Sequence, residues 1–194
     1  KDIKKLLKFN RSKGKKILVQ GVGHVGETLV KYITDEGAHV IINDINESRL
    51  KELSKKYNAN VVLGNDIYNL DLDVYAPCAL GATINDQTIH KLNTKVIAGA
   101  ANNQLADEVK HGRILKEKGI AYAPDFLINA GGIINVYGEL KGYSKEESIK
   151  KTENIYNTTL EIFKHSEKEN ITTHRAAFNI AQNRIDNYKK ERNS

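Results

Sequence analysis

The chain has 194 residues, of which 40% are hydrophobic and 28% charged, a composition that suits a globular protein with one sizeable core. It has no run of 18 apolar residues, no apolar signal segment and a single cysteine, which exclude a membrane span, a secretion signal and a disulfide framework and favour a reducing, cytoplasmic location. The net charge of +6 does not indicate a nucleic-acid partner, because residues 1–16 contribute +7, from eight Lys/Arg and one Asp, which leaves −1 for the remainder.

Strands alternate with helices in the first two thirds of the chain. The sequence predicts strands over residues 15–20, 38–44, 60–63, 72–76, 95–100 and 120–124. Helices are predicted from the glycine-rich turn to Glu36, from Asn46 to about Tyr57, and over 107–118. Because such alternation builds a parallel sheet with right-handed crossovers, the sequence predicts an α/β fold with a Rossmann-type, doubly wound sheet.

From residue 127 onward the pattern is helical. Ser144 and Glu147 have the spacing of a capping box, and apolar residues continue one helix from there to Phe163 and beyond. A last helix is predicted to start at Thr172 or Thr173, and the basic tail after Tyr188 is expected to fray.

Three glycines, Gly21, Gly23 and Gly26, lie between the first predicted strand and its helix. The first permits a tight turn, the second lets a pyrophosphate approach the backbone, and the third lets the helix pack closely on the sheet. Asp44 ends the second strand, where its carboxylate can accept hydrogen bonds from an adenosine ribose. The helix N-terminus adds free N–H donors for phosphate, so the sequence predicts a dinucleotide site.

Asp44 favours NAD over NADP, because its carboxylate would repel a phosphate on the ribose 2′ oxygen. Arg49 lies close enough in sequence to soften this repulsion. The alternative is that the three glycines only shape a turn and that Asp44 only caps a loop. The combination of strand, glycines, helix and acid in the expected order favours the cofactor site.

Two further segments follow predicted strands, at the sheet edge where ligands bind in such folds. In AGAANNQL, Asn102 and Asn103 offer amide groups that match a nicotinamide carboxamide, or they serve as turn residues. In INAGGIINV, the small residues permit close approach by another molecule. Ile133 and Val136 share one helix face, which walls an apolar pocket or belongs to the core.

The side chains offer few other candidates for chemistry. Cys78 follows Pro77 at a strand end, but the sequence supplies no base to activate it, so a packed residue at the cofactor cleft is favoured. The six histidines lack a ligand spacing such as H-x-x-x-H, and no metal site is predicted. His24 differs from the others because its backbone, inside the glycine loop, should face the pyrophosphate.

The domain organisation is predicted from the change of pattern along the chain. Residues 15–142 form the dinucleotide-binding domain, and residues 143–194 form helices that pack on it or on a partner domain. The sequence contains no methionine, and Lys1 leads directly into a predicted helix over residues 2–9. We therefore expect a piece of a longer chain, in which residues 1–14 are the helix and linker after a preceding domain.

A resemblance to a known family rests on five segments: QGVGHVG, VIINDIN, DVYAPCALGATIND, KVIAGAANNQL and YAPDFLINAGGIINV. They resemble the cofactor domain of the Glu/Leu/Phe/Val dehydrogenase family, and the resemblance runs from about Gly14 to Tyr188. The APCALGA and AGAANNQL parts are far more specific than the glycine motif. His24 stands where the family usually has Asn, and Gly26 where it often has Ala.

The resemblance implies oxidative deamination of an L-amino acid to a 2-oxo acid and ammonia, with NAD⁺ accepting the α-hydride. It implies that Asn102 holds the nicotinamide carboxamide, and that Asn129 lies by the nicotinamide ribose and the amino-acid end of the substrate. It also places the glycine loop at the pyrophosphate and Asp44 at the adenosine ribose. The other cofactor positions that it implies are Val22, His24, Val25, Ile45, Cys78, Ala79, Leu80 and Ala100.

The same resemblance implies a substrate pocket at Ile133 and Val136. Because both are apolar, such a pocket should reject the carboxylate of glutamate and favour leucine, valine or isoleucine, with phenylalanine as the nearest competitor. The family's catalytic Lys and Asp lie in an N-terminal domain, so we expect no catalytic residue in this chain, which alone should bind NAD without turning over amino acid. The full enzyme is expected to be a homo-oligomer.

Two other interpretations remain open at this point. The first is a free-standing NAD-binding module that regulates a partner, and the second is another Rossmann-type enzyme with a different substrate. The AANN and NAGG segments argue against the second.

Overall fold

A computed structural model of the chain describes residues 12–193, and the helix predicted over residues 2–9 lies outside them. The strands are β1 (Lys16–Gln20), β2 (His39–Asn43), β3 (Asn60–Val61), β4 (Asp71–Pro77), β5 (Asn93–Ile97) and β6 (Ala121–Tyr122). These six strands are parallel and form one sheet in the order β3-β2-β1-β4-β5-β6. This order confirms the predicted α/β, Rossmann-type fold. The progression of the strand order switches sides between β1 and β4, and this switch point opens a crevice at the carboxyl ends of the two parallel strands.

Helices follow most strands and continue to the C-terminus. They are α1 (His24–Asp35), α2 (Glu47–Tyr57), α3 (Glu108–Glu117), α4 (Asp125–Ile128), α5 (Gly131–Lys141), α6 (Lys145–Glu153), α7 (Ile155–Glu169) and α8 (Thr173–Asn193), with a 3-10 helix at Gly64–Asn69. Among the helices of residues 12–193, none is both long and apolar enough to cross a bilayer.

Alternating side chains of the central strands supply two cores, one on each face of the sheet. Ile17 and Val19 of β1 face a core shared with α1 and α2, whereas Leu18 faces a second core that includes Tyr75 and Leu115. Phe163 of α7 packs against the first of these cores. Burial on both faces explains the continuous apolar runs at 17–19 in β1 and 74–76 in β4.

The predicted cap residues occupy the expected positions. The side chain of Asn46 accepts a hydrogen bond from the Arg49 N–H (3.1 Å), and Ser144 and Glu147 form the predicted capping box at the start of α6. Gly23 precedes α1 and has no side chain with which to cap it, so the first N–H groups of that helix stay available.

Most boundaries agree with the predicted ones within two residues, and three differences are larger. β5 ends at Ile97 rather than at residue 100, because the chain turns there and Ala101 N–H donates to the Pro77 carbonyl (2.9 Å). The single helix expected through Phe163 is interrupted at Asn154, which separates an exposed α6 from α7, whose Ile155 turns into the interior. The last helix continues past Tyr188 to Asn193.

Gly99 tests the close contact between the ends of β4 and β5. A Cβ at this position would lie 2.1 Å from the Pro77 carbonyl oxygen and 2.4 Å from the Pro77 nitrogen, both of them backbone atoms. We expect Gly99→Ala to lower the free energy of unfolding by about 2 kcal/mol, measured by urea denaturation. Gly132→Ala is the control, since its Cβ would meet no atom within 4 Å and a helical alanine adds up to about 1 kcal/mol of stability. Equal stability of the Gly99 variant and the parent would contradict the close approach.

Candidate functional site

The three predicted glycines sit where β1 turns into α1. Gly21 has a φ of +90°, and a Cβ there would lie 2.5 Å from the Ala79 nitrogen. A Cβ on Gly26 would lie 2.0 Å from the Gly21 carbonyl oxygen, whereas a Cβ on Gly23 would meet no atom within 4 Å. The first and third glycines therefore close the turn against its neighbours, and the second leaves open space above the helix N-terminus. This is the geometry that a bound pyrophosphate requires.

The other predicted residues of the loop differ in their position relative to this opening. Val22 is buried, and its N–H is bonded to Asp44 rather than pointing into the opening. His24 starts α1 and is exposed, and Val25 beside it is 57% exposed. The backbone at these two positions forms the first turn of the helix that faces the opening.

Asp44 joins the glycine loop to β2. Its Oδ2 accepts a hydrogen bond from Val22 N–H (2.7 Å), and its Oδ1 accepts one from Asn46 N–H (2.9 Å). Asp44 thus does cap a loop, which was the alternative to a ribose-binding role. The two roles are compatible, because a carboxylate has about four acceptor positions and two remain for ribose hydroxyls.

Arg49 is not free to soften the charge of Asp44. Its guanidinium pairs with Glu27 of α1 and with Glu52 (2.8 Å), and its Nε donates to the Val22 carbonyl (3.4 Å). Glu27 in turn accepts hydrogen bonds from Lys56 Nζ (2.9 Å) and Tyr57 Oη (3.1 Å). The bonds from Lys56 and Tyr57, with the charge of Arg49, hold the pKa of Glu27 below its ordinary value.

The segment after β4 contributes the opposite wall of the crevice. Cys78 N–H donates to the Gln20 carbonyl (2.7 Å), and burial raises the pKa of the Cys78 thiol, which suits a packed residue rather than a nucleophile. Ala79 is half-buried against Gly21, and Leu80 is 92% exposed. Ile45, across the crevice at the end of β2, is also fully exposed, so two apolar side chains stand open at its rim.

Two predicted asparagines from distant segments meet at the carboxyl edge. Asn129 Nδ2 donates to Asn102 Oδ1 at 2.6 Å. Ala100, two residues before Asn102, is half-buried. Asn103 has a φ of +52°, and its carbonyl accepts from Ala82 N–H (2.6 Å), which assigns it a turn role. The structure therefore separates the two adjacent asparagines into a site position and a turn position.

Sequence reasoning missed Gln104 and Asp125, which position these asparagines. Gln104 is fully buried, its N–H donates to Asp125 Oδ2 (2.8 Å), and its Nε2 donates to the carbonyls of Gly99 (2.7 Å) and Ala101 (3.0 Å). Asp125 Oδ1 accepts from Phe126 N–H (2.7 Å). The available signal in the sequence was a polar residue shortly after a predicted strand. Gln104 follows the two asparagines of ANNQL, and Asp125 follows the proline of PDFLIN.

His111 links the segment after β4 to the segment after β5. It is buried, its Nδ1 accepts from Asp107 N–H (3.0 Å), and its Nε2 lies 3.0 Å from Asp86 Oδ1. Because Nδ1 is the acceptor, the proton sits on Nε2, which donates to the carboxylate. The pKa of Asp86 is lowered mainly by a hydrogen bond from Lys110 and to a smaller extent by the one from His111.

The Asp86 contact predicts a pH-dependent stability. A lowered pKa means that the carboxylate stabilises the fold above its ordinary pKa of about 4 and loses this effect as the pH falls through the lowered value. We expect Asp86→Asn to melt below the parent at pH 7, with the difference shrinking as the pH falls below about 4. Asp66→Asn, an exposed aspartate of the 3-10 helix, is the matched control. A difference that stays constant down to pH 3 would rule out this role for Asp86.

Ile133 and Val136 lie on α5 beside Asn129, and they do not belong to the core. They are 71% and 57% exposed, and Leu140, one turn further along the same face, is 80% exposed. The described residues therefore present an open apolar strip at the end of the crevice. Within residues 12–193 no group of three or more His, Cys, Asp or Glu side chains is arranged to hold a metal ion.

Comparison with known proteins identifies the family. A family model described as Glutamate/Leucine/Phenylalanine/Valine dehydrogenase matches residues 42–193. A leucine dehydrogenase from Thermoactinomyces intermedius is 47% identical over 181 residues, which cover 93% of this chain and 49% of that protein. The chain belongs to this family. The resemblance seen in the five sequence segments is thereby confirmed, and the chain spans about half the length of the curated relatives it matches.

Other family members differ in the amino acid they are named for. An L-tryptophan dehydrogenase from Nostoc punctiforme is 43% identical over 94% of this chain and 52% of that protein, and a phenylalanine dehydrogenase from Thermoactinomyces intermedius is 43% identical over 89% and 48%. The crystal structure of L-tryptophan dehydrogenase from Nostoc punctiforme superposes with a TM-score of 0.93 at 41% identity, over 97% of this chain and 57% of that chain. A hetero-hexameric glutamate dehydrogenase from Thermus thermophilus, at 18% identity and a TM-score of 0.70, shares the fold.

Proposed function

We propose that the chain is the NAD-binding part of an amino-acid dehydrogenase that oxidatively deaminates L-leucine and other branched-chain amino acids. The observation that carries the proposal is the meeting of Asn102 and Asn129 at the same sheet edge as the open glycine turn. The pyrophosphate at the centre of a dinucleotide then lies on the turn, and the nicotinamide end lies beside the two amides. Membership of the dehydrogenase family supports this arrangement.

The residues of the crevice fit a dinucleotide along its length. The space above Gly23 and the N–H groups that open α1 suit the pyrophosphate, and the two unused acceptor positions of Asp44 suit the adenosine ribose. Exposed Ile45 and Leu80 offer apolar contact on either side of the adenine. When bound, the dinucleotide supplies the hydride acceptor, and Asn102 and Asn129 orient its carboxamide and ribose.

The adenosine end of the crevice favours NAD over NADP. Asp44 adds a negative charge at the ribose, and Arg49 is engaged by two carboxylates. A 2′-phosphate would therefore be repelled by Asp44, and Arg49 is already paired and does not offset that repulsion.

Calorimetric titration of the chain with each dinucleotide tests the cofactor assignment. We expect NAD⁺ to bind at least about tenfold more tightly than NADP⁺, a difference that one unfavourable charge contact can produce. Asp44→Ala should narrow this ratio by weakening NAD⁺ binding and relieving the repulsion of NADP⁺. Glu47→Ala, which removes a carboxylate three residues away, should leave the ratio unchanged. Equal affinities of the parent for NAD⁺ and NADP⁺ would refute the assignment.

The substrate class rests on the apolar strip of α5. Ile133 and Val136 stand exposed next to Asn129, so the side chain of a substrate held there would contact methyl groups. A carboxylate buried against them without a cation would be costly, which favours an aliphatic substrate over glutamate. Leucine and its branched relatives suit a strip of this size, and phenylalanine is the alternative substrate within the family.

Kinetics of the full-length protein that carries this chain test the pocket. Val136→Ser replaces a methyl surface with a hydroxyl, and we expect kcat/KM for leucine to fall by about fivefold to tenfold while the KM for NAD⁺ stays unchanged. Ile149→Ser, at an exposed apolar position on α6, is the control and should match the parent. Unchanged leucine kinetics in the Val136 variant would show that the pocket is elsewhere.

The remaining parts of the proposal concern the whole protein. We propose that a preceding domain supplies the catalytic Lys and Asp, that the full enzyme is a homo-oligomer in the cytoplasm, and that this chain alone binds NAD without turnover. The division between a domain over 15–142 and helices over 143–194 also stays a proposal. The packing of Phe163 on the sheet core ties those helices to the cofactor domain.

A further inference from the structure

Asp44 and Arg49 contact the same residue of the glycine loop, Val22, one at its N–H and the other at its carbonyl. Asp44 Oδ2 accepts from Val22 N–H at 2.7 Å, and Arg49 Nε donates to the Val22 carbonyl at 3.4 Å. The guanidinium and the carboxylate that is proposed to bind the adenosine ribose therefore both lie against Val22. An arginine beside the ribose is the side chain that commonly accommodates a 2′-phosphate, because its planar fork matches phosphate oxygens.

Glu27 and Glu52 occupy that fork from two directions. Glu52 pairs with Arg49 within α2, at an i,i+3 spacing, and its side chain is 56% exposed, so solvent weakens this contact. Glu27 belongs to α1, and its side chain is only 20% exposed. Lys56 and Tyr57 also donate to Glu27, which fixes its carboxylate in place against the guanidinium.

The charged side chains around Arg49 form a corner of the site in which positive and negative charges nearly balance without any ligand. Asp44, Glu27 and Glu52 face Arg49 and Lys56, so the five side chains sum to one negative charge. A phosphate would add a further −1.5 to −2 (an approximate charge near neutral pH) to a corner whose cations are already paired. Loss of the Glu27 charge would bring the sum to zero and would leave the fork of Arg49 with one weak partner.

We propose that Glu27 is a cofactor-specificity residue: by pairing with Arg49 it withholds the guanidinium from a ribose 2′-phosphate and so secures the preference for NAD over NADP. The inference rests on the proposed dinucleotide site and adds to it a residue from α1 that is outside the groups proposed to bind the cofactor. Glu27 acts through Arg49, and its effect is expected in the selectivity between the two dinucleotides rather than in the affinity for NAD⁺.

The test compares Kd values for NAD⁺ and NADP⁺, by calorimetry on the full chain, in the parent and in Glu27→Gln. A freed arginine that gains a charge-assisted hydrogen bond to phosphate should tighten NADP⁺ binding by about tenfold, while NAD⁺ changes by less than about twofold. The double variant Glu27→Gln/Arg49→Gln should return the ratio of the two Kd values to the parental value. Glu47→Gln removes an equal charge from the first turn of α2, leaves the Glu27–Arg49 pair intact, and should not change the ratio.

Each outcome decides a different question. An unchanged ratio in Glu27→Gln, with NAD⁺ still bound, would overturn the role of Glu27 and leave the dinucleotide site standing. A gain that persists without Arg49, or that Glu47→Gln reproduces, would assign the effect to the general field of the corner and overturn it equally. Failure of the parent to bind either dinucleotide would instead refute the proposed function. Thermal midpoints of all variants establish that the compared proteins are folded.

Discussion

Backbone packed directly on backbone, at the carboxyl edge of the parallel sheet, is the constraint on which the rest of this structure depends. A Cβ at Gly21 would clash with Ala79, one at Gly81 with the Asn102 carbonyl (2.5 Å), and one at Gly99 with the Pro77 carbonyl. Each contact joins the end of one strand, or the segment after it, to the segment after another strand. Because the segments approach without side chains between them, the crevice floor is made of fixed peptide groups, and Gly23 leaves room for a ligand above it.

Two aspartates hold these segments together by accepting backbone N–H groups. Asp44 binds the loop after β1 to the end of β2, and Asp125 binds the segment after β5 to α4. Buried N–H groups need acceptors wherever the regular ladder ends, and a carboxylate can serve two at once. The same bonds therefore stabilise the fold and set the distances between the groups proposed to bind the cofactor.

The sequence predicts those parts of the fold and site that depend on local pattern. The strands, the glycine turn and the caps at Asn46 and Ser144 follow from periodicity, spacing and residue type. The break at Asn154 could not be predicted in this way, because it depends on which face of α7 finds the core. Likewise, Gln104 donates its N–H to Asp125, and Arg49 pairs with Glu27 of another helix. Both partners are distant in the sequence, so a local pattern does not reveal them.

Under the proposed function, the two ends of the candidate site select by different forces. At the proposed adenosine end, Asp44 and Arg49 contact Val22, and Arg49 pairs with Glu27 and Glu52, so selectivity depends on ion pairing. Solvent and salt weaken such pairs only where the groups are exposed. At the α5 end, Ile133 and Val136 carry no polar atom in their side chains, and selectivity there depends on the apolar area that a substrate removes from water. Since the glycine turn and the asparagine pair lie between these ends, a change of cofactor preference need not alter the choice of amino acid. The family's range of named substrates, from leucine to tryptophan, is what such a separation permits, because one end of the crevice can vary while the other is kept.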